Sequence, residues 1–385
     1  IAYATPPQPV IPNETNNVTN FGAVGDGVTT NTAAIQAAIN ALAVGPAHGG
    51  TVEIPPGVYL SGPLYLSNSI NLQIDAGATL EMLPYGSYPS TADFISGANL
   101  HDIEISGSGT IDGQGADWWT AYNSSQISRP KAMFAATACS NVLVRDVTLQ
   151  NPPNTHISFR FLCRNVTVNH INIETPLSPN TDGIDCSGAN VLIENSHISD
   201  GDDHVALGDG HVGYFNHDIT VANCLLGNGH GISIGSYTTA GLSNLLVMDC
   251  VWTNGSTGIR IKADIDRGGP VQDLKYYNLT MTNVQTPIYF YSYYTNSGTS
   301  SGVTFDQAAS YPVFPVSSTT PIWRDIVISN LTAFAASGRS AGILWGRPEM
   351  CISNVVLDHV NITASKYFEI YNARGIQLID SKVTT

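Results

Sequence analysis

Three short runs of the sequence decide the fold: Asn-Val-Leu-Val at residues 141–144, Asn-Val-Thr-Val at residues 165–168 and Asn-Val-Leu-Ile at residues 190–193. Each is an alternating strand that follows an asparagine, and successive runs start 24 and 25 residues apart. Runs of the form Asn or Asp, aliphatic, any residue, aliphatic recur along the chain, with first aliphatic residues at Leu72, Ile103, Val142, Val166, Val191, Ile219, Leu245, Leu274, Ile326, Val355 and Ile376. Most intervals are 21 to 31 residues long, and we interpret the interval of 52 residues, from Leu274 to Ile326, as two turns. Such a period is typical of a solenoid.

The segments between these strands carry Gly, Asn, Asp and Pro and lack helical periodicity. A leucine-rich repeat would need its own Leu and Asn spacing, and a propeller blade would need about 40 residues. Strands and turns alone, each turn hydrogen-bonded to the next, form a right-handed parallel β-helix. We therefore predict an all-β, single-domain solenoid over residues 1–385, with one irregular stretch from Tyr293 to Thr320.

One segment near the start has a different period. Apolar residues recur at helical spacing between Thr30 and Ala43, and Thr29 or Thr30 can serve as the N-cap. The pattern predicts a short amphipathic α-helix over about residues 30–43. Because an open solenoid end exposes unpaired strand edges, we expect this helix to cover them.

Composition and charge exclude several classes of protein. Of the 385 residues only 12% are charged, the mean hydropathy is +0.03, and no apolar run approaches the roughly 18 residues of a membrane span. The balance of 15 Lys and Arg against 30 Asp and Glu gives a net charge of −15, which repels nucleic acid and anionic lipid. We expect neither as a partner, and we expect a monomer.

The cysteines and glycosylation sequons indicate the compartment. Six cysteines without CxxC spacing favour up to three disulfides over a zinc site, at Cys139, Cys163, Cys186, Cys224, Cys250 and Cys351. Eight Asn-X-Ser/Thr sequons indicate the same environment, at Asn13, Asn17, Asn123, Asn165, Asn254, Asn278, Asn330 and Asn361. We expect a secreted, extracellular glycoprotein whose signal peptide was removed before Ile1.

Polar residues are concentrated in four consecutive repeats. From Asp182 the steps are 21 residues to Asp203, 27 to His230 and 32 to Lys262, each about one turn. Because neighbouring strands lie about 4.8 Å apart, we expect these residues to stack on one face. The four runs are Asn180-Thr181-Asp182-Gly183, Gly201-Asp202-Asp203-His204, Gly229-His230-Gly231 and Arg260-Ile261-Lys262.

The adjacent aspartates suit acid–base chemistry. Both carboxylates of Asp202 and Asp203 reach one cleft only at a bend, which Gly201 permits. Carboxylates held close together do not all ionise readily, so one keeps its proton and can act as a general acid. Glycoside hydrolysis needs such an acid beside a second carboxylate, and Arg260 and Lys262 suit an anionic group of the substrate.

Taken together, the four runs resemble glycoside hydrolase family 28, the polygalacturonase family of pectin-degrading enzymes, in order and approximate spacing. The opening Phe21-Gly22-Ala23-Val24-Gly25-Asp26-Gly27 is also similar to the N-terminus of that family, so the resemblance covers roughly residues 20 to 385. It implies a parallel β-helix that hydrolyses α-1,4 galacturonosyl linkages of a pectic polysaccharide with inversion.

The resemblance also implies roles for single residues. Asp202 is expected to be the general acid, and Asp182 and Asp203 are expected to activate water. His230 is expected to tune the acid. Substrate binding is expected from Asn180, Arg260, Lys262 and Tyr294.

Two features bear on the branch of the family. His204 stands where the family usually has Cys, which leaves the local disulfide in doubt. The presence of His230 argues against rhamnogalacturonases, and the whole pattern is most similar to endo-xylogalacturonan hydrolases. Plain endo- or exo-polygalacturonase action is the alternative. We expect activity to be best under acidic conditions, where the charge of −15 is partly titrated.

Two other classes stay open at this point. In a pectate lyase on the same fold, the aspartates would bind Ca²⁺ and an Arg or Lys would act as base. A non-catalytic carbohydrate-binding β-helix is the third possibility. The hydrolase interpretation predicts no cofactor and no metal ion. Five of the histidines outside the four runs are interpreted as surface or turn residues, namely His156, His170, His197, His211 and His217.

Overall fold

The computed structural model describes residues 1–89, 91–294 and 303–385, and for Phe305 the backbone alone. The described chain forms two compact units, residues 1–202 and 203–385. In each unit the strand pairs are parallel and the chain coils as a right-handed β-helix, so the predicted fold class is confirmed. The expectation of a single domain stays a prediction. Part of the irregular stretch expected at Tyr293 to Thr320 lies outside the described residues.

Among its described residues, 1–89 and 91–202, the first unit contains two α-helices, one 3₁₀ turn and seventeen strands. The helices are α1 (Thr32–Val44) and α2 (Gly115–Ser125), and the 3₁₀ turn is Val18–Phe21. The strands are β1 (Thr15–Asn17), β2 (Asp26–Thr30), β3 (Gly50–Ile54), β4 (Gly57–Ser61), β5 (Leu64–Tyr65), β6 (Ile70–Ile74), β7 (Ala78–Met82), β8 (Ile95–Ala98), β9 (His101–Ser106), β10 (Thr110–Asp112), β11 (Ala132–Thr137), β12 (Ser140–Arg145), β13 (Thr148–Gln150), β14 (Thr155–Asn169), β15 (Asn172–Glu174), β16 (Ile184–Glu194) and β17 (His197–Ser199).

The second unit has the same organisation, with one short helix, α3 (Phe305–Ala309), among its described residues. Its strands are β18 (Val205–Leu207), β19 (Asn216–Ala222), β20 (Leu225–Leu226), β21 (Ile232–Ile234), β22 (Leu242–Met248), β23 (Val251–Trp252), β24 (Thr257–Lys262), β25 (Pro270–Val284), β26 (Thr286–Tyr291), β27 (Ile322–Ala335), β28 (Ser340–Trp345), β29 (Ile352–Thr363), β30 (Lys366–Tyr371), β31 (Ala373–Ile379) and β32 (Lys382–Thr384).

The aliphatic residues that repeat in the sequence are paired with one another on successive turns of the coil. In the first unit Ile103, Val142, Val166 and Val191 are partners on successive turns, and all four are buried. In the second unit the partners run from Ile219 through Leu245, Leu274, Ile326 and Val355 to Ile376. Stacking one aliphatic residue per turn fills the interior of the coil, which is why the sequence repeats them.

Two details of the predicted register are wrong. Leu72 pairs with Ile105, and the partner of Ile103 is Ile70, because the β6 strand begins two residues earlier than the pattern suggests. The interval of 52 residues between Leu274 and Ile326 is one turn, since these two residues are direct partners. The extra length is an insertion between β26 and β27 that includes α3.

The predicted terminal helix is confirmed as α1, which buries Ile35, Ala38, Ile39 and Leu42. Its N-cap is Asn31 and not a threonine, and the Asn31 side chain bonds to the backbone of Val24. The expectation that strands and turns alone make up the repeats is wrong at α2. Only Gly115 and Trp118 of this helix are buried, so its sequence has no regular apolar face that would reveal it.

The prediction of up to three disulfides is wrong, because all six cysteines are free thiols. Five of them are buried and behave as small apolar side chains, and Cys139 and Cys163 also donate Sγ–H to backbone carbonyls. In the described part of the chain, no helix has the length and apolar character needed to cross a membrane.

Candidate active site

The second unit brings Asp203 together with Arg260 and Lys262. Arg260 lies on β24 and donates from Nη1 to Oδ1 of Asp203 at 2.9 Å, and Lys262 donates from Nζ to Oδ2 at 2.7 Å. Ser233 on β21 also donates to Oδ1, at 2.7 Å. Residues 260 and 262 both point outward, because they alternate along the strand with Ile259 and Ile261, which are buried in the coil.

The two cations keep Asp203 ionised. Its side chain is only 2% exposed, and burial by itself would raise the pKa of the carboxyl group. The charges of Lys262 and Arg260, with the hydrogen bonds from Lys262 and Ser233, outweigh burial and hold the pKa of Asp203 well below its usual range. Asp203 is therefore a carboxylate at neutral and mildly acidic pH, where it suits the role of a base and not that of an acid.

His204 supports the site from beneath. It is fully buried, its Nδ1 accepts a hydrogen bond from the Gly231 amide at 3.0 Å, and its Nε2 faces the Gly227 carbonyl oxygen at 3.2 Å. Burial lowers the pKa of His204 to about 4, so the ring is neutral at neutral pH. The histidine at this position therefore ties two turns together, as a side chain in the interior and not as a group in the cleft.

The Gly-His-Gly run holds His230 at a tight bend. Gly231 has φ +86°, and a Cβ atom there would clash with the carbonyl oxygens of Thr257 and Gly258, so only glycine fits. The His230 carbonyl accepts a hydrogen bond from the Thr257 hydroxyl. A ring nitrogen of His230 lies within 4.8 Å of a carboxylate oxygen of Asp203.

Two tyrosines lie beside the cations. The Tyr294 ring centroid is 5.3 Å from Nζ of Lys262 and 5.9 Å from the guanidinium carbon of Arg260. Tyr289, which is the strand partner of Arg260 on the next turn, has its ring centroid 5.6 Å from the same guanidinium carbon. Both rings are half-buried, which suits stacking on a sugar ring.

In the first unit a buried arginine fixes the turn that carries Asn180 and Asp182. Arg129 donates to the carbonyl oxygens of Pro153 and Pro179 and to Oδ1 of Asn180, each at 2.8 Å. Its guanidinium group lies 3.7 Å from the ring centroid of Tyr122 on α2. The helix that the sequence does not reveal therefore supports the arginine that orients this turn.

A buried histidine supports the same turn from the other side. His156 Nδ1 lies 2.8 Å from the Asp182 carbonyl oxygen, and its Nε2 lies 2.8 Å from the Thr175 hydroxyl. Burial lowers the pKa of His156 to about 4. The interpretation of His156 as a surface or turn residue is wrong, whereas His170, His197, His211 and His217 are surface residues as expected.

The turn with Asp202 lies next to the turn with Asp182. The Gly201 amide donates to the Thr181 hydroxyl at 3.1 Å, and the Asp202 amide donates to Oδ1 of Asp200 at 3.1 Å. Gly201 is required because a Cβ atom there would clash with the backbone of Ser178. Asp202 is half-buried whereas Asp203 is buried, so the two adjacent aspartates have different surroundings.

The sequence does not reveal four residues that contact the expected site residues. They are Ser233, Tyr289, Arg129 and His156. Ser233 and Tyr289 could have been found if the pairing of the strands had been known. Ser233 is the strand partner of Arg260 on the preceding turn, and Tyr289 is its partner on the next turn. Arg129 and His156 act across turns through backbone carbonyls, and no residue pattern marks such contacts.

A metal ion does not suit Asp203. Asp203 and His230 offer ligand atoms within 4.8 Å of each other. The carboxylate already bonds to a guanidinium and an ammonium group, so a further cation would meet two positive charges at hydrogen-bonding distance. We assign no catalytic step to a metal ion here.

The sequence is similar to known proteins over most of its length. The family described as glycosyl hydrolases family 28 matches residues 47–381. An endo-polygalacturonase of Pectobacterium carotovorum subsp. carotovorum is 30% identical over 380 residues, which cover 89% of this chain and 87% of that protein.

Solved structures are similar over nearly the whole chain. The polygalacturonase from Erwinia carotovora ssp. carotovora has a TM-score of 0.77 at 26% identity, covering 100% of this chain and 99% of that one. The endo-xylogalacturonan hydrolase from Aspergillus tubingensis has a TM-score of 0.75 at 20% identity, covering 97% and 100%. At that identity the second similarity is one of fold.

Proposed function

Because the chain belongs to glycosyl hydrolases family 28 and is a glycoside hydrolase of the polygalacturonase type, we propose that it cleaves α-1,4 galacturonosyl linkages of a pectic polysaccharide with inversion. In this proposal Asp202 is the general acid that protonates the leaving oxygen. Asp203 and Asp182 activate the attacking water, and His230 tunes the acid.

The two ion pairs that Asp203 forms with Arg260 and Lys262 are the observation that carries the proposal. Water activation needs a carboxylate that stays unprotonated while a neighbouring acid keeps its proton. Arg260 and Lys262 hold the pKa of Asp203 low by direct ion pairs. Asp203 is buried whereas Asp202 is half-buried, so the two adjacent carboxylates lie in different surroundings, as an acid and a base require.

The charges beside Asp203 favour an anionic substrate. Arg260 and Lys262 carry two positive charges against the one negative charge of Asp203, so this cluster has a local surplus of one positive charge. The Lys262 ammonium has three N–H donors, and Asp203 accepts one of them. In a chain of net charge −15 such a surplus is a local attraction for a galacturonate carboxylate, with Tyr294 and Asn180 as further contacts.

A xylose-substituted galacturonan is the second candidate substrate. The combined pattern of the four runs supports it, and plain polygalacturonate is the other possibility. His204, the residue that departs from the usual family pattern, is buried, and its ring hydrogen-bonds to the backbone of Gly227 and Gly231. Initial rates on the two polymers at equal galacturonate concentration distinguish them. A higher kcat/KM on the xylose-substituted polymer would favour xylogalacturonan as the substrate, and a higher value on the plain polymer would favour polygalacturonate.

The lyase alternative receives less support from the site. A Ca²⁺ ion prefers several oxygen ligands with free negative charge, and the charge of Asp203 is already offset by two cations. A hydrolase is expected to keep its rate in EDTA and to form no ultraviolet-absorbing unsaturated product. Loss of activity in EDTA together with such a product would favour the lyase.

Secretion also remains part of the proposal. The sequons and the polymeric substrate support an extracellular site of action, whereas the free thiols remove the support that disulfides would have given. Fractionation of the producing cells, with the enzyme measured in medium and lysate, tests this location.

Replacement of the general acid is the decisive experiment. Asp202→Asn substitutes an isosteric amide, so we expect turnover of polygalacturonate to fall by about 100-fold or more while the melting temperature stays unchanged. Asp380→Asn, at a residue whose side chain is 77% exposed, is the matched control and should keep full activity. Anomeric configuration of the first product, read by NMR, should be inverted. Wild-type turnover in Asp202→Asn would overturn the proposal.

A further inference from the structure

The face that carries Arg260 and Lys262 continues over three more strands. Strands β24, β26, β28 and β30 pair in register, and their outward side chains form two rows. The inward residues between the rows, such as Phe290 and Leu344, are buried in the coil. An open groove along this face would therefore expose both rows, which are Arg260, Tyr289, Ile343 and Glu369, and Lys262, Tyr291, Trp345 and Tyr371.

On the strands that follow β24, most of the side chains in these two rows are buried and not exposed. Tyr291 is 6% exposed, Trp345 7% and Ile343 9%, although all three point away from the interior of the coil. They form one apolar cluster with Tyr293 and Ala308. We call the set Tyr291, Tyr293, Ala308, Tyr311, Ile343 and Trp345 the aromatic wall, because Tyr311 packs against the same cluster.

The covering layer is the described part of the insertion between β26 and β27. The Val303 amide donates to the Tyr291 hydroxyl at 2.7 Å, and Ala308 of α3 is buried against the cluster. The Tyr293 and Tyr311 ring centroids are 4.6 Å apart, and those of Tyr291 and Trp345 are 5.8 Å apart. These contacts have the packing of a small core and not of an open surface.

A buried arginine joins the covering layer to the sheet. The Arg347 guanidinium carbon lies 5.1 Å from the ring centroids of both Tyr293 and Tyr311. Its Nη1 donates to Oδ1 of Asp264 and to the Ser292 carbonyl oxygen. A charge that is buried in this way stabilises one arrangement of the segments around it, since any other would leave it without its partners.

The wall limits the length of substrate that the site can hold. From the turn of Asp203 to Tyr289 the sheet advances three strands, through β21 and β24 to β26, or roughly 14 Å at about 4.8 Å per strand. A polysaccharide lying across the strands therefore has room for only a few sugar rings over this distance. Tyr289 and Tyr294, the two half-buried tyrosines, stand at its end.

We propose that the aromatic wall closes the groove on the side of Arg260 and Lys262, so that the enzyme attacks a galacturonan at a chain end and releases short products of uniform length. This inference rests on the proposed hydrolysis of galacturonan and replaces the endo action that the sequence pattern favours. The terminal sugar then stacks on Tyr289 or Tyr294 while its carboxylate faces Arg260 and Lys262.

The course of polymer breakdown tests the proposal. Wild-type enzyme is incubated with polygalacturonate, and viscosity, reducing groups and product lengths are followed together. Products of one to three residues from the first time point, with most of the viscosity kept while reducing groups accumulate, are the expected result. A rapid loss of viscosity with oligomers of mixed length would overturn chain-end action and leave the hydrolase function intact. The absence of any reducing groups would instead contradict the proposed function.

A variant of the wall tests its role in product length. Tyr311→Ala removes a ring from the covering layer without touching Asp203 or its cations, and Phe334→Ala, at an exposed position of β27, is the control. We expect longer products and a steeper fall of viscosity from Tyr311→Ala alone. Unchanged product lengths in a variant that keeps its melting temperature would contradict the wall. If Tyr311→Ala does not fold, the wild-type product pattern still decides the proposal.

Discussion

The ammonium group of Lys262 lies 2.7 Å from Oδ2 of Asp203, and the two side chains are buried together. Removing one partner of a buried ion pair leaves the other charge without compensation, which is more costly than losing an exposed pair. Lys262 therefore does more than attract the substrate. It also sets the protonation of the carboxylate beside it.

Lys262→Met should move the acid limb of the pH–rate profile to higher pH. The positive charge of Lys262 lowers the pKa of Asp203, so its loss raises that pKa and leaves a larger share of Asp203 protonated in mild acid. A group with a depressed pKa stabilises the fold above its unfolded pKa and loses that contribution as pH falls through the folded value. In the variant this loss should begin at higher pH.

Profiles of kcat/KM and melting temperatures from pH 3 to pH 7 check this expectation. Lys275→Met, at an exposed lysine of β25, is the matched control and should leave both curves in place. An acid limb that does not move in Lys262→Met would show that Asp203 does not depend on this charge.

Arg129→Ala should lower kcat/KM by about 10- to 100-fold, because the turn of Asn180 and Asp182 loses the group that positions it. Arg129→Lys should recover only part of this, since an ammonium group cannot replace a guanidinium that bonds to three acceptors. The shape of the pH profile should not change, because Arg129 does not titrate in this range. Arg164→Ala, at an exposed arginine, is the control, and equal kinetics in all variants would refute a positioning role.

Thermal stability should fall as pH falls from about 6.5 to about 4. Burial lowers the pKa of His204 to about 4, whereas an unfolded histidine has a pKa of about 6.5. Between these values the unfolded state binds a proton that the folded state does not, so stability is lost as pH falls, by up to roughly 3 kcal/mol for one group. His156 adds to the same slope.

His204→Gln should reduce this slope, and His359→Gln, at an exposed histidine, should not. The measurement is the melting temperature at half-unit steps of pH, and the comparison is between slopes because His204→Gln also changes the absolute stability. An unchanged slope in His204→Gln would contradict the assignment.

Asn165→Ala should destabilise the first unit by about 2–3 kcal/mol. The Asn165 amide donates to Asn141 and accepts from Asn190, each at 2.9 Å, and its φ is +54°. Alanine loses both hydrogen bonds and disfavours this backbone region, whereas Asn165→Gly loses the bonds alone. The free energy of unfolding in denaturant should therefore be highest for wild type, lower for Asn165→Gly and lowest for Asn165→Ala. Equal losses in the two variants would show that the positive φ of residue 165 does not contribute.

The period of the sequence was sufficient to predict the coil, because one buried aliphatic residue per turn is what holds such a fold together. It did not reveal α2, whose Tyr122 supports Arg129 through one cation–π contact and not through a regular apolar face. Nor did it show that the turn from Leu274 to Ile326 is single, since an insertion and an additional turn lengthen a sequence in the same way.

The sequence indicates which residues belong to the site, but it does not indicate which of them contact one another. The expectation that Arg260 and Lys262 bind substrate gave no reason to pair them with Asp203, which depends on side-chain directions on three different turns. His156 was assigned to the surface because nothing near it in sequence is unusual. Its two contacts, with Asp182 and Thr175, come from neighbouring turns that only the coil brings together.

The hydrogen-bonded asparagines at 141, 165 and 190 have a consequence for how this protein can change during evolution. Each amide must meet the one above and the one below, so the pitch of the coil is fixed at this corner and a residue gained or lost here would break two contacts. Insertions are accommodated at another corner, as between β26 and β27, where a long excursion leaves Leu274 and Ile326 in register. The fold thus separates a corner that preserves the scaffold from one at which specificity can diversify.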